Sequence, residues 1–257
     1  MLLAIDIGNT NIVFGLFSQE ELVFHFRLET DPGSPADDYA ALIHERLEGQ
    51  AIGIADIRGT VMASVVPQLD SSLVRVCTKL FGKAPLIVDS NTHTGITICY
   101  ETMHTLGADR IVNAVAAYEK YRSAVIVIDM GTATTFDYVD AGGAFLGGAI
   151  APGIKTAGEA LFQKAAKLPR IDFVYPERIL GRTTIQSMQT GIVAGYVGLV
   201  EGLIARIKAE AGADARVIAT GGLARLVAAH TAAIDEVDDY LLLRGLKIIY
   251  ERHTNKR

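Results

Sequence analysis

Two stretches of this sequence end an apolar run with an aspartate and then enter a polar turn that contains glycine. "AIDIGNTNIVFG" (4–15) carries Asp6 and Gly8, and "VIDMGTATTFDYVD" (127–140) carries Asp129 and Gly131. Backbone N–H groups in such a turn can bind phosphate oxygens, and the carboxylate can hold the accompanying cation. Either turn alone could equally be a hairpin whose aspartate caps its own backbone. The occurrence of both in one chain favours a polyphosphate site.

The residue types within the turns suit that chemistry. Gly8 lets the backbone approach phosphate oxygens closely, and Asp6 can hold Mg²⁺ directly or through water. The polar residues that would supply N–H and hydroxyl donors are Asn9, Thr10 and Asn11 in the first turn, and Thr132, Thr134 and Thr135 in the second. Neither turn contains a lysine, so a bound cation would have to offset the phosphate charge.

The same unit is present twice along the chain. With Asp6 aligned on Asp129, each copy reads as a strand, a polar turn and a second strand, and "RVIATGGLA" (216–224) corresponds to "GTVMASVVP" (59–67). We therefore predict two domains, 1–115 and 116–257, joined directly by a helix over Ala108–Tyr121. A ligand would bind in the cleft between two such lobes.

Periodicity predicts an α/β fold for each copy, with helices on both sides of its sheet. Closely spaced strands are expected to form an antiparallel meander, and a helix follows with one apolar face. The strands are Leu2–Ile7, Ile12–Phe17 and Leu22–Leu28, and the apolar helix positions are Tyr39, Leu42, Ile43 and Leu47.

Composition excludes several classes of protein. The 257 residues carry a formal net charge of −5, which argues against a general nucleic-acid binder. No apolar run approaches the roughly 18 residues of a membrane span, and the first residues do not resemble a signal peptide. Cys77 and Cys99 form no zinc motif, and we expect both to be buried, reduced thiols of a cytoplasmic protein.

A third motif could supply acid–base chemistry. In "YETMHTLGADRIVNAVAAY" (100–118), Gly107 and Ala108 precede or begin a helix whose first turn holds Asp109 and Arg110. A carboxylate is favoured at a helix N-terminus, and the arginine could bind an anionic substrate. From these residues alone, Asp109 could also serve only to stabilise its own helix, with Arg110 in solvent.

The motifs "DIGNTN", "LGADR", "IDMGTATTFD" and "GGAIAPGI", in this order, resemble the type III pantothenate kinase family of the actin and sugar-kinase superfamily. The resemblance implies two tandem actin-like (ribonuclease H-like) lobes, each a mixed sheet flanked by helices, with the active site in the inter-lobe cleft. It implies ATP-dependent phosphorylation of pantothenate, the first step of coenzyme A biosynthesis. It also implies a homodimer, for which the apolar helix 191–207 is either core or interface.

The resemblance assigns roles to individual residues. Asp109 would be the general base, Asp129 would hold a monovalent cation (K⁺ or NH₄⁺), and Asp6 would hold Mg²⁺. The ATP phosphates would contact Asp6, Ile7, Gly8, Asn9, Thr10, Asn11, Ile12, Val13 and Thr132. Pantothenate would contact Tyr100, Gly107, Ala108, Asp109, Arg110 and Thr184. Two positions depart from the family pattern: residue 183 is Thr instead of the usual Asn, and residue 103 is Met where proline is frequent.

Two other functions are compatible with the motifs. An actin-like phosphohydrolase would use Asp109 to orient water, although a hydrolase has no need of a carboxylate-binding Arg110. A regulatory accessory protein of the same family would need no catalytic groups, yet Asp6, Asp109 and Asp129 are all present. The residues therefore favour a kinase that acts on a small molecule, without nucleic-acid or membrane partners.

Overall fold

A computed structural model describes residues 1–255. Its strands are β1 (Leu2–Ile7), β2 (Asn11–Ser18), β3 (Glu21–Glu29), β4 (Gly59–Ser64), β5 (Leu86–Ile87), β6 (Thr97–Ile98), β7 (Val125–Met130), β8 (Ala133–Val139), β9 (Ala144–Pro152), β10 (Arg216–Thr220) and β11 (Glu236–Val237). Its helices are α1 (Ala36–Glu48), α2 (Pro67–Phe81), α3 (Ala108–Tyr121), α4 (Ile154–Lys164), α5 (Thr184–Gln189), α6 (Gly195–Ala211), α7 (Ala224–Ala228) and α8 (Leu241–Thr254). A π-helical turn, Thr190–Ala194, joins α5 to α6.

The chain forms two compact units that differ from the predicted domains 1–115 and 116–257 in two places. Unit 1 comprises Met1–Gly95, Glu101–Ala116 and the segment from Leu241 onward, and unit 2 comprises Ile96–Tyr100 and Ala117–Tyr240. The C-terminal segment belongs to unit 1 because α8 packs against β1, β2 and β4. Residues 96–100 belong to unit 2 because β6 pairs with β9.

The two sheets confirm the internal duplication. The sheet of unit 1 has the order β3-β2-β1-β4-β5, and that of unit 2 has the order β11-β10-β7-β8-β9-β6. Read from β9, the second sheet repeats the first, with β6 added at its edge. In each sheet the first three strands are antiparallel, and β4 or β10 lies parallel to the central strand. Asp6 and Asp129 are each the penultimate residue of an equivalent central strand, β1 or β7.

The core of unit 1 follows from the alternation of β1 and the stripe of α1. Leu3, Ile5 and Ile7 lie on one face of the sheet and pack in a cluster that includes residues of α1 and α2. The buried stripe of α1 runs through Tyr39, Ala40, Ile43 and Leu47. Leu42, which the sequence placed on the same apolar face, is 39% exposed and is not among the buried residues of the helix.

One helix departs, by length and composition only, from the expectation that no apolar run approaches the length of a membrane span. Over the described residues, the helix Thr184–Ala211 is long and apolar enough to be a candidate span. The core helix of a soluble protein passes the same test. One face of this helix lies in the core of unit 2, where Val193, Tyr196 and Val200 are buried.

Helix α8 is held to the rest of unit 1 by polar contacts as well as by packing. The Lys247 ammonium is almost fully buried and donates to carboxylate oxygens of Glu20 and Glu251, each at 2.7 Å. Burial alone would lower the pKa of Lys247, but the two carboxylates raise it above its ordinary value. Arg252 donates to the Thr94 carbonyl oxygen.

Gly245 lies where α8 contacts α3, and this contact gives a stability prediction. A methyl group on Gly245 would lie 2.3 Å from the Val112 carbonyl oxygen, and backbone cannot move aside as a flexible side chain can. We expect Gly245→Ala to lower the free energy of unfolding by about 1–3 kcal/mol, the usual cost of overpacking. Urea unfolding followed by circular dichroism measures this.

Gly49→Ala is the matched control. Gly49 is exposed at the end of α1 with helical φ and ψ of −61° and −14°, and a methyl group there would lie 3.3 Å from the Glu45 carbonyl oxygen, 1 Å farther than the contact at Gly245. The control should change the free energy of unfolding much less than Gly245→Ala does. Equal unfolding free energies for the two variants would contradict the proposed contact.

Candidate functional site

The first turn (8–10) lies between β1 and β2 at the end of the central strand of unit 1. The Gly8 N–H donates to the Asn11 carbonyl oxygen at 3.0 Å and closes the turn. Behind it, Thr30 donates twice: its hydroxyl to the Gly8 carbonyl oxygen at 2.6 Å, and its N–H to the Thr10 carbonyl oxygen at 3.1 Å. Asn9 and Thr10 are exposed, so the turn presents its other side to solvent.

The second turn (131–132) lies between β7 and β8 at the equivalent place in unit 2. The Gly131 N–H donates to the Ala133 carbonyl oxygen at 3.0 Å. The Thr132 carbonyl oxygen accepts two bonds from the segment that follows β9, one from the Gly153 N–H at 3.0 Å and one from the Thr156 hydroxyl at 2.6 Å. Both units thus hold an exposed polar turn by its carbonyl oxygens.

The surroundings of the two predicted cation ligands differ. Asp129 lies in register with Thr135 of β8 and Thr220 of β10, so two hydroxyl-bearing residues share its face of the sheet. A carboxylate with hydroxyl oxygens is the hard donor set that K⁺ or Mg²⁺ prefers. Asp6 lies in register with Val13 and Ala63, which offer no side-chain oxygen. Within the described residues, no group of three or more His, Cys, Asp or Glu could hold a metal ion.

Asp109 and Arg110 lie in the first turn of α3, as predicted. The Asp109 carboxylate accepts the Arg110 backbone N–H at 2.8 Å. A side chain at Gly107 would lie 2.3 Å from the same carboxylate oxygen, so only glycine leaves room for Asp109 in this position. Arg110 is 6% exposed, so the alternative of a solvated arginine does not hold.

The environment of Asp109 changes its protonation. Burial raises the pKa of the Asp109 carboxyl above its ordinary value, and it outweighs the Arg110 N–H bond and charge, which lower it. A carboxylate with a raised pKa is a stronger base than an exposed one. Such a shift, next to a buried guanidinium, marks Asp109 as a candidate acid–base group.

Val65 connects the first turn to the start of α3, and sequence reasoning missed it. It follows β4, and its N–H donates to the Ile7 carbonyl oxygen at 3.0 Å. Its side chain lies 3.9 Å from the position that a Gly107 methyl group would occupy. The first turn of unit 1 and the Asp109–Arg110 pair therefore both lie next to Val65. An apolar residue such as Val65 carries no chemical signal in a sequence.

The structure divides the predicted pantothenate residues between the units. Gly107–Arg110 belong to unit 1, whereas Tyr100 follows β6 in unit 2. The Tyr100 ring packs edge-on against Phe145 of β9, with ring centroids 6.1 Å apart.

The neighbouring Cys99 is exposed and Cys77 is buried, so the expectation of two buried thiols was wrong for Cys99.

Thr184 is the first residue of α5 in unit 2 and is exposed. The preceding Thr183, which departs from the family pattern, is the N-cap, and its hydroxyl oxygen accepts the Gln186 N–H at 3.2 Å. Asn and Thr both cap helices well. The departure therefore preserves the local structure that places Thr184.

Comparisons of the sequence point to a single family. A family model described as type III pantothenate kinase matches residues 2–206. A Geobacter sulfurreducens protein named type III pantothenate kinase is 51% identical over 253 residues, which cover 98% of this chain and 99% of that protein. A Moorella thermoacetica protein of the same name is 49% identical over 254 residues, 99% of this chain and all of that protein.

Solved structures show the same fold at low sequence identity. A Campylobacter jejuni protein whose name assigns it to the Baf family of transcriptional activators has a TM-score of 0.64 at 19% identity, over 98% of this chain and 99% of that one. A ROK hexokinase from Thermus thermophilus has a TM-score of 0.53 at 15% identity, over 99% of each chain. Such likenesses confirm the actin-like, sugar-kinase fold and carry no argument about function.

Proposed function

This chain belongs to the type III pantothenate kinase family, and we propose that it transfers the γ-phosphoryl group of ATP to pantothenate with Asp109 as the general base. Family membership makes it a pantothenate-phosphorylating kinase of coenzyme A biosynthesis. The observation that carries the assignment of Asp109 is its place at the start of α3, where its pKa is raised and Arg110 is buried beside it.

In the proposed reaction, the primary hydroxyl of pantothenate attacks the γ-phosphorus of ATP. Asp109 accepts a hydrogen bond from this hydroxyl, orients its oxygen and takes its proton as the new P–O bond forms and ADP leaves. Positioning supplies most of the acceleration in phosphoryl transfer, and a base adds about 10²- to 10⁴-fold. The Asp109 carboxylate accepts the Arg110 N–H, which fixes the orientation of its side chain for this positioning role.

The remaining assigned residues bind the two substrates. Arg110 pairs with the pantothenate carboxylate, and Gly107, Ala108, Tyr100 and Thr184 line the same substrate's site. The N–H and hydroxyl groups of Asp6–Val13 and Thr132 bind the ATP phosphates. The exposure of Asn9, Thr10 and Thr132 supports this assignment, because these residues are accessible to a ligand.

Cations complete the proposed phosphate site. Asp129 would hold a monovalent cation, K⁺ or NH₄⁺, and the hydroxyl-bearing neighbours Thr135 and Thr220 support this choice. Asp6 would hold Mg²⁺ through water, since its cross-strand neighbours offer no further oxygen ligand. These ions supply positive charge against the phosphates, which no lysine in either turn provides.

A coupled ATP assay tests the function directly. ADP release should require pantothenate, and the product should be 4′-phosphopantothenate by mass spectrometry. The same rate of ATP hydrolysis without an acceptor would instead identify a phosphohydrolase. Absence of both activities, with ATP still bound, would favour a regulatory protein.

We also propose that the enzyme is a cytoplasmic homodimer without nucleic-acid or membrane partners. The core face of helix 191–207 is buried in unit 2, but its opposite face is an exposed stripe that includes Gly191, Gly198 and Leu199. Ile179 and Leu180, which are 58% and 85% exposed, follow Arg178, whose carbonyl oxygen accepts the Thr190 hydroxyl just before the start of this helix. Exposed patches of this kind commonly mark protein interfaces.

The dimer gives a second prediction. Light scattering at micromolar concentration should give twice the 27.5 kDa mass of one chain. Leu199→Glu, which places a charge in the stripe, should shift the protein to monomer. Leu42→Glu is the matched control, because Leu42 of α1 is 39% exposed and Leu199 is 36% exposed. A monomeric wild type, or a dimer undisturbed by Leu199→Glu, would contradict the proposed interface.

A further inference from the structure

Two threonine hydroxyls hold carbonyl oxygens of the two phosphate turns, and neither residue is among those assigned above to bind ATP, pantothenate or a cation. The Thr30 hydroxyl donates to the Gly8 carbonyl oxygen, and the Thr156 hydroxyl donates to the Thr132 carbonyl oxygen. Both distances are 2.6 Å, near the short end for an O–H···O bond. Each turn thus has a hydroxyl donor of its own.

The duplication places these contacts at equivalent parts of the two units. Thr30 directly follows β3, and Gly153 directly follows β9, the equivalent strand. The backbone N–H of each donates to the turn in front of it, to the Thr10 carbonyl oxygen at 3.1 Å and to the Thr132 carbonyl oxygen at 3.0 Å. In both units the chain that leaves the third strand therefore closes over the back of the turn.

A held carbonyl fixes the direction of the N–H in the same peptide group. In a planar trans peptide the C=O of one residue and the N–H of the next point in opposite directions, and the described chain has no cis peptide bonds. With the Gly8 carbonyl held by Thr30, the Asn9 N–H points away from Thr30. With the Thr132 carbonyl held by Thr156, the Ala133 N–H points away from Thr156. Asn9 and Ala133 are both exposed.

We propose that Thr30 and Thr156 are positioning residues, which orient the Asn9 and Ala133 N–H groups to donate to the phosphate oxygens of ATP. This inference rests on the proposed function, because it takes the two turns to be the phosphate site. Preorganised N–H donors stabilise phosphate charge without having to rotate during the reaction. Without its threonine hydroxyl, a turn peptide is free to rotate, and its carbonyl oxygen can then face the phosphate and repel it.

Isosteric substitution separates the hydroxyl from the rest of the side chain. Thr30→Val and Thr156→Val should each lower kcat/KM for ATP by about three- to tenfold, the usual range for one net hydrogen bond. The KM for pantothenate should not change, because neither threonine is among the residues proposed to bind pantothenate. Thr30→Ser and Thr156→Ser keep the hydroxyl and should stay within about twofold of wild type.

Thr78→Val is the matched control for losing a hydroxyl-to-carbonyl bond. Thr78 lies on the exposed side of α2 and donates to the Val74 carbonyl oxygen at 2.8 Å. Its kinetics for ATP should equal those of wild type, and melting curves should show all variants folded at the assay temperature. Wild-type kcat/KM for ATP in both Val variants, or Ser variants as impaired as the Val variants, would overturn the proposal.

Calorimetric titration with ATP separates this inference from the proposed function. Weaker ATP binding by the Val variants than by the Ser variants supports the positioning role, even if the wild type fails to phosphorylate pantothenate. Equal ATP affinities overturn the positioning role, even if the wild type is a kinase.

Discussion

Asp109→Asn should lower pantothenate-dependent turnover by about a hundredfold or more, the usual cost of losing a general base. The substitution keeps the size of the side chain and an acceptor oxygen for the Arg110 N–H, but an amide cannot take the hydroxyl proton. The KM for ATP should change little, because the proposed phosphate contacts lie in the two turns. The KM for pantothenate should also change less than turnover, since the Arg110 guanidinium remains.

A matched variant separates loss of the base from loss of a charge. Asp89→Asn also removes one carboxylate from unit 1, in an exposed loop where Asp89 accepts the Asn91 N–H and the Thr92 hydroxyl. It should keep full turnover. A folded Asp109→Asn protein with more than about a tenth of wild-type turnover would show that Asp109 is not the base.

The raised pKa of Asp109 fixes the sign of two pH effects. Because the base must be deprotonated, the acidic limb of kcat/KM for pantothenate, which reports the free enzyme, should rise with pH at a higher pH than an exposed aspartate would give. The pKa of Asp109 is higher in the folded protein than in the unfolded chain, so ionisation of Asp109 lowers the free energy of unfolding. This loss of stability develops as the pH rises through the pKa of the unfolded chain. Asp109→Asn should therefore melt at the same or a higher temperature at neutral pH.

Replacing potassium with sodium should give the second large effect. If Asp129, Thr135 and Thr220 hold a monovalent cation beside the phosphates, the site should select by size, and ammonium, which is similar in size to potassium, should support activity. Losing one preorganised charge stabiliser costs about a hundredfold, and sodium, as a smaller cation, should recover only part of this. Steady-state rates in matched chloride salts at constant ionic strength measure the order.

Asp129→Asn tests whether the cation acts at this carboxylate. The variant should be slow in potassium and should no longer distinguish potassium from sodium. Asp214→Asn removes a charge from unit 2 at a side chain that is 95% exposed and should keep the wild-type preference. Equal wild-type rates in potassium, sodium and ammonium salts would remove the assigned role of Asp129.

The sequence alone determined the features that depend on local order. Closely spaced runs of apolar, β-branched and aromatic residues predicted β1 at its observed bounds, Leu2–Ile7, and β2 and β3 within one residue at each end. The repeated Asp-x-Gly turns predicted the duplication, which the matching strand orders confirm. The "GADR" motif indicated the start of α3 and, through the family resemblance, the chemistry at Asp109. Strand period, turn composition and a helix start are properties of neighbouring residues, so a sequence can carry them.

Only the tertiary structure decided which distant segments meet. Nothing in the sequence of α8 indicates that it belongs with the first unit. Its close contact with α3 is possible because residue 245 is glycine, and the sequence alone does not show which segment lies against that glycine. The burial of Arg110 and the raised pKa of Asp109 are likewise set by what surrounds them. Thr30 and Thr156 look like ordinary polar residues until folding places their hydroxyls 2.6 Å from two turn carbonyl oxygens. Desolvation and side-chain hydrogen bonds between distant residues depend on proximity in space, which residue order alone does not specify.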